Sequence, residues 1–162
     1  MADYPLDCTA VYETSGFHGA TGSTIVSNGT AHIKGAWVNL LTGSYNSNYI
    51  LLNVSANSAA AAYALDIGIG GASGAERSII PDFYMNFPRA NQGVYNALFP
   101  TSIASGSIIA ARCQSATASA TVNVHVHAIS NGIDLTYSPE RITGYGINTG
   151  ATSGTAITAP AT

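Results

Sequence analysis

Hydrophobic and polar residues alternate with a period of two along much of the chain. The clearest run is residues 121–128, in which valine and alanine alternate with asparagine and histidine. This period is that of a half-buried antiparallel strand. By the same criterion, further strands are predicted at residues 25–26, 36–41, 49–54, 65–69, 79–80, 83–85, 109–114 and 135–137.

Turn signals separate these apolar runs. They are the pairs Asn28-Gly29, Thr42-Gly43, Gly70-Gly71, Ser105-Gly106 and Asn131-Gly132. Alanine favours helix intrinsically, but the alanine-rich stretch 59–64 follows serine and asparagine and continues into an alternating pattern, which indicates a turn that enters a strand. Short strands separated by turns predict an all-β fold. We predict a single antiparallel β-sandwich, jelly-roll-like or immunoglobulin-like, since two packed sheets bury one face of each.

The pattern divides the chain into three parts. Residues 1–19 form an N-terminal segment, residues 20–143 the sandwich domain, and residues 144–162 a C-terminal arm rich in serine, threonine and glycine. The arm has too few apolar residues for a core of its own, so we predict an extended segment. Our hypothesis is that it adds a strand to the sheet of a neighbouring subunit.

Charged residues make up only 8% of the 162 residues, and hydrophobic residues make up 46%. An average domain has roughly 25% charged residues, and a disordered chain combines low hydrophobicity with high net charge. Charge is depleted at the centres of protein interfaces, so the composition favours a folded subunit surrounded by neighbours. The five cationic residues are scattered and the net charge is −3, which argues against a nucleic-acid-binding surface.

The first residues lack the basic and apolar regions of a signal peptide, and no apolar run reaches the 18 residues typical of a membrane span. We therefore expect an intracellular chain whose two cysteines, Cys8 and Cys113, are reduced thiols. Cys113 falls on the apolar side of its predicted strand, where a thiol behaves as a small hydrophobic group.

Three segments resemble a β-sandwich domain of tailed-bacteriophage virion structural proteins, of the head decoration (cement) or tail accessory type. They are residues 33–40, residues 65–76 with 79–81 after them, and residues 99–115. The resemblance covers residues 20–130. The family pattern has Pro-Ala-Gly before the arginine strand, whereas this chain has Ala104-Ser105-Gly106. The resemblance implies a location in the virion, assembly in the host bacterial cytoplasm and no catalysis.

Two histidines, His125 and His127, lie two residues apart on the clearest predicted strand, so both rings should leave the same face. Such a pair can hold zinc when further ligands arrive from elsewhere. The donors available are His18, His32, Asp66, Cys8 and Cys113. The favoured interpretation is two solvent-side or interface histidines, with no metal and no cofactor.

Three acids, Asp66, Glu76 and Asp82, lie in the middle of the chain. Paired carboxylates carry out glycoside hydrolysis when they are suitably spaced, but sequence does not give the spacing. Asp66 and Arg112 each fall inside a predicted strand, so a charged pair between them across the sheet is the simpler explanation. We expect no enzymatic activity.

The chain has nine tyrosines, several of them in or beside predicted loops. Tyrosine is common at protein interfaces, and it also stacks on sugar rings. We favour the interface, with candidate residues Tyr45, Tyr49, Tyr84, Tyr95, Tyr145, Ile147 and Ile157.

The function expected is that of a capsid decoration protein that stabilises the head shell. Its expected partners are itself, as a homotrimer, and other virion proteins such as the major capsid protein, with no nucleic acid and no membrane. The alternative is a tail-associated module that binds a receptor or a carbohydrate.

Overall fold

The computed structural model describes residues 22–72, 74–130, 142 and 145–155, together with the backbone of residues 11–14. Its strands are β1 (Val11–Thr14), β2 (Ser23–Val26), β3 (Val38–Thr42), β4 (Ser47–Ser55), β5 (Ala62–Gly70), β6 (Arg77–Asn86), β7 (Tyr95–Ile103), β8 (Ile108–Ser115), β9 (Thr121–Ser130), β10 (Ile147–Asn148) and β11 (Ser153–Gly154). The described part of the chain contains no helix, and thus none long and apolar enough to span a membrane.

The strands form two main antiparallel sheets, as the alternation predicted. Sheet A has the order β1–β9–β4–β7, with β2 pairing beside β1 on the same edge of β9, and sheet B has the order β3–β8–β5–β6. From β2 to β9 the chain changes sheet at every connection except the β5–β6 hairpin. The two sheets are therefore joined along the whole chain, and each covers the inner face of the other.

The core lies between the sheets and comes from the apolar side of each alternating run. Val122, Val124 and Val126 of β9 are fully buried and meet residues such as Leu65 and Ile67 of β5. Aromatic pairs fill the gap between β6 and β7, which are the edge strands of the two sheets on the same side of the sandwich. Phe83 and Phe99 make an edge-to-face contact with ring centroids 5.7 Å apart, and Phe87 contacts Tyr95 at 5.0 Å.

Most predicted strands are confirmed, often with extended ends, and the alanine-rich stretch leads into β5 as expected. The predictions at 79–80 and 83–85 are parts of one strand, β6, whose pairing with β5 shifts register near Asp66. β1 and β7 were not predicted. The prediction at 135–137 lies outside the described residues.

Part of the predicted C-terminal arm folds back as a small hairpin. Strands β10 and β11 pair with each other, and the side chain of Gln114 on β8 donates to the Thr149 carbonyl at 2.6 Å and to the Thr152 hydroxyl at 2.8 Å. Residues 156–162 lie outside the described residues, so strand addition to a neighbouring subunit stays a prediction.

Candidate functional site

The outer face of sheet A is formed by β9, β4 and β7 and is called the open face below. The register aligns its side chains in three rows across the sheet. The first row is Ile129, Tyr49 and Pro100; the second is His127, Leu51 and Leu98; the third is His125, Asn53 and Asn96. The side chains of the face therefore change from mostly apolar in the first row to polar in the third.

The open face carries no Asp, Glu, Lys or Arg among its described side chains. Leu98 is 58% exposed and lies beside Leu51 of β4. Single exposed apolar residues are ordinary on a protein surface, but apolar residues that adjoin one another mark contact sites. The face thus has the composition of an interface centre, which is poor in charge.

The two histidines leave the same face of β9, as predicted. Their ring centroids are 4.5 Å apart and the rings are tilted by 36°. Partial burial, and then the neighbouring His125, lower the pKa of His127. The Nε2 atom of His125 is buried and has no hydrogen-bond partner among the described residues.

The described donors among those suggested by the sequence do not join this pair. His32 contacts the Thr152 hydroxyl through Nδ1 at 3.1 Å, Asp66 lies in ion pairs on sheet B, and Cys113 is in the core. His18 and Cys8 lie outside the described residues. No group of three or more potential ligands is found in the described part of the chain.

The outer face of sheet B carries the charged residues and is called the covered face below. Asp66 on β5 lies opposite Arg112 on β8, and its Oδ2 atom accepts from Arg112 Nε at 2.9 Å. The predicted pair across the sheet is confirmed. The other oxygen of Asp66 accepts from Lys34 Nζ at 2.7 Å and from the backbone N–H of Asp82 at 2.8 Å.

Lys34 also lies 2.7 Å from Oδ1 of Asp82, so two acids and two bases form one cluster. The side chain of Asp66 is only 4% exposed, against 18% for Lys34, 28% for Asp82 and 33% for Arg112. The central carboxylate thus depends on its partners for the hydrogen bonds that water would otherwise supply. This arrangement is typical of a structural cluster.

The chain itself covers this cluster. The guanidinium of Arg112 lies over the ring of Trp37, 4.5 Å from its centroid, and the same ring packs on Gly68, where a Cβ atom would come within 2.7 Å of it. Gln114, held by the β10–β11 hairpin, is 2% exposed, and Ala64 and Ala110 are fully buried. Polar and small residues on an outer face are buried here because other parts of the chain lie over them.

The acids considered for catalysis make structural contacts. Asp66 and Asp82 share Lys34 as a counter-ion. Glu76 precedes β6 and accepts from the backbone N–H of Gly74 at 3.0 Å. The contacts of these carboxylates are ion pairs and hydrogen bonds from backbone N–H groups, and Oε2 of Glu76 is buried without a hydrogen-bond partner among the described residues.

Cys113 is a free, fully buried cysteine, as its strand position predicted. Burial raises the pKa of its thiol to about 12. Since the thiolate is the reactive form, this residue is a packing residue.

The tyrosines proposed as contacts do not form one surface. Tyr49 lies on the open face, and Tyr45 is 53% exposed in the β3–β4 turn. The hydroxyl of Tyr95 is engaged with the backbone of Asn86. Tyr84, Tyr145 and Ile147 line a cavity of about 290 Å³ between β6 and β7, and Ile157 lies outside the described residues.

The comparisons with known proteins assign no family. No family model and no curated protein matches the chain. Among solved structures, the chain is similar to the N-terminal cellulose-binding domain of β-1,4-glucanase C from Cellulomonas fimi, with 15% identity and a TM-score of 0.35 over 76% of this chain and 90% of that domain. It is also similar to a chain in the structure of infectious bursal disease virus, Gx strain, with 12% identity and a TM-score of 0.32 over 84% of this chain and 33% of that one.

Proposed function

We propose that the protein is a non-enzymatic structural subunit of a tailed-phage particle, and specifically a capsid decoration protein. The observation that carries this proposal is the open face, whose described side chains are apolar, hydroxyl, amide or imidazole groups with no carboxylate, ammonium or guanidinium. A face of this kind loses little solvation free energy when a partner covers it, because no full charge has to leave water.

The order of the strands supports the same proposal. Sheets β2–β9–β4–β7 and β3–β8–β5–β6 are connected as in an eight-stranded jelly roll, an architecture found in viral capsid and lectin domains. Fold alone does not fix function. Among the kinds of protein that have this fold, the resemblance of residues 20–130 to phage virion domains favours a virion component.

The proposed mechanism is stabilisation by mass action. A protein that binds only the assembled shell stabilises it by RT ln(1 + [L]/Kd), which is about 2.7 kcal/mol per site at a hundredfold excess over Kd. We propose that the open face docks on the major capsid protein and that three copies meet at a local three-fold axis of the shell.

The alternative is a tail-associated module that binds a receptor or a carbohydrate. The observation that favours it is the cavity between β6 and β7, where Tyr84 and the 91% exposed Tyr145 lie beside Phe83 and Phe99. Aromatic rings along one side of a sandwich offer a stacking surface to a sugar.

Co-sedimentation separates the two functions. The purified chain is incubated with empty capsids of the phage that encodes it and, in parallel, with host cells, and each pellet is quantified. Saturable pelleting with capsids at a fixed copy number is expected. Pelleting with cells alone would contradict the decoration function and support the tail module.

A further inference from the structure

The cavity between β6 and β7 is lined mainly by apolar and aromatic groups. Pro81 and Phe83 of β6 and Phe99 of β7 line it, and Tyr145 and Ile147 line it from the side of the β10–β11 hairpin. Tyr145 is 91% exposed, so the cavity is open on this side. Its volume of about 290 Å³ lies just below the range of pockets that take small ligands, roughly 300–1,000 Å³. The cavity therefore suits an apolar side chain better than a large polar molecule.

Asp82 is the one charged residue among the described residues that line the cavity. Its carboxylate lies 2.7 Å from Lys34 Nζ, so its charge is already paired within the covered face. An apolar occupant of the cavity gains free energy because it leaves water. A charged occupant would lose its hydration without finding an unpaired counter-ion among the described lining residues.

The C-terminal arm leaves the described part of the chain at the rim of this cavity. The backbone N–H of Thr155 donates to the carbonyl of Gly146 at 2.6 Å, and Gly146 itself lines the cavity. The hairpin that carries Thr155 is held on sheet B by the hydrogen bond from Gln114 to Thr152. Extended residues advance about 3.3 Å each, so Ile157 can lie within about 7 Å of Thr155.

The residues that follow Thr155 match the chemistry of the cavity. Residues 156–160 are Ala, Ile, Thr, Ala and Pro, with no charge among them. The side chain of Ile157 is the largest apolar group of this segment, and its burial would stabilise the chain. Because Ile157 is joined to the rim through a single residue, its effective concentration at the cavity is high. The chain's own isoleucine is therefore favoured as occupant over that of a second copy.

We propose that Ile157 of the same chain binds in the cavity between β6 and β7, in contact with Tyr84. Side chains alternate along an extended segment, so Ala156 and Thr158 face away from the cavity. This places the arm on its own chain, whereas strand addition to a neighbouring subunit would place it on another.

The proposal does not rest on the decoration function, because the open face belongs to sheet A and the arm is held on sheet B. Failure of the isoleucine to occupy the cavity would leave docking on the capsid intact, and failure to bind capsids would leave the occupied cavity intact. A cavity filled by Ile157 is not open to a sugar, so the inference counts against the alternative function.

The test is thermal unfolding of the full chain with an aspartate introduced at each of two adjacent positions. Ile157→Asp should lower the unfolding midpoint by roughly 4–8 °C, because a carboxylate does not replace the buried apolar group. Thr158→Asp is the matched control: it adds the same charge one residue away, on the side that faces solvent, and should change the midpoint by about 2 °C or less. Equal midpoints for the two variants would overturn the proposal.

A double-mutant cycle locates the contact. The decrease in midpoint caused by Ile157→Ala should be roughly halved when Tyr84→Ala is already present, because the two side chains share one contact. It should be unchanged in a Tyr45→Ala background, since Tyr45 precedes β4 and does not line the cavity. Tyr84→Leu takes the place of Tyr84→Ala if circular dichroism shows the latter to be unfolded. Equal decreases in the two backgrounds would contradict the placement of Ile157 in the cavity.

Protein concentration identifies the chain that supplies the isoleucine. An intramolecular contact does not depend on concentration, so the difference in midpoint between the wild type and Ile157→Asp should be the same at low and at high concentration. A difference that grows with concentration would assign Ile157 to the cavity of a neighbouring copy and would overturn the proposal.

Discussion

The two outer faces of the sandwich differ in what lies over them. On the covered face, Trp37, Lys34 and the β10–β11 hairpin bury a carboxylate together with small and amide side chains. On the open face, Leu98 is 58% exposed. Four charged side chains thus form one ion-pair cluster on the covered face, whereas the described side chains of the open face carry no carboxylate, ammonium or guanidinium.

The difference between the two faces shows what role charged residues have in a chain where they make up only 8%. A buried ion cluster contributes little net stability relative to an apolar replacement, but removal of one partner leaves the others uncompensated. On the open face the effect is on binding instead. A charge introduced there would have to lose its hydration when a partner covers the face, which weakens binding. Substitutions on the covered face should therefore lower the free energy of unfolding, whereas substitutions on the open face should lower the affinity for a partner.

The largest effect is expected for Asp66→Ala on the covered face. It leaves Lys34 and Arg112 partly buried without their shared carboxylate, and we expect the free energy of unfolding to fall by about 3 kcal/mol. Urea unfolding measures it. Asp82→Asn is the control: Asp82 is more exposed and, among the described residues, its side chain forms an ion pair with Lys34 alone, so about 1 kcal/mol or less is expected. Equal costs for the two variants would contradict the central role of Asp66.

A smaller loss is expected for Gly68→Ala. The new methyl group would lie 2.7 Å from the Trp37 ring, so the ring must move off the sheet, at a cost of about 1–3 kcal/mol. Gly71→Ala, where no atom lies within 4 Å of the added Cβ, should change stability by about 0.5 kcal/mol or less. Tryptophan fluorescence should shift to longer wavelength in the first variant and stay unchanged in the second.

A pH-dependent loss of stability is expected from the core between the two sheets. Burial raises the pKa of Cys113 from 9.0 to about 12, so above pH 9 the unfolded chain releases a proton that the folded chain keeps. Stability is then fully present below pH 9 and is lost as the pH rises towards 12. Burial also raises the pKa of Tyr63, which acts in the same direction.

Urea midpoints of the wild type and of Cys113→Ala, measured between pH 8 and pH 11, isolate the thiol, since Tyr63 is common to both. The stability advantage of the wild type should shrink as the pH rises. An advantage that stays constant or grows would show that the thiol ionises in the folded chain.

The smallest effect on stability is expected for Leu98→Asp on the open face. Leu98 is largely exposed, so the free energy of unfolding should change by about 0.5 kcal/mol or less. Thermal unfolding checks this value. A large loss would mean that Leu98 is buried by a part of the chain and would remove the distinction between the two faces.

Much of the fold could be predicted from the sequence because one face of most strands packs in the core. The alternation in β9 gave both its apolar face and the shared direction of His125 and His127. The Asp66–Arg112 pair followed from two charged residues on neighbouring strands. In these cases the local pattern and the tertiary contact agree.

Other features depend on long-range contacts that a local pattern does not contain. β7 was missed because Pro100 lies inside it, although proline is tolerated on an edge strand such as this one. The cover over sheet B was missed because burial of Ala64 and Gln114 depends on Trp37 and Thr152, which are distant in sequence. The tyrosines were grouped by residue type, whereas the fold places them on different parts of the surface.

The most direct test of the account is capsid binding by two matched variants, Leu98→Asp on the open face and Ile33→Asp, an apolar and 49% exposed position next to Lys34 of the covered face. Both are titrated against empty capsids in the co-sedimentation assay, with unfolding curves to confirm that each is folded. The account predicts at least a tenfold loss of affinity for Leu98→Asp, about 1.4 kcal/mol, and no loss for Ile33→Asp. Wild-type binding by Leu98→Asp would show that the open face is not the docking surface.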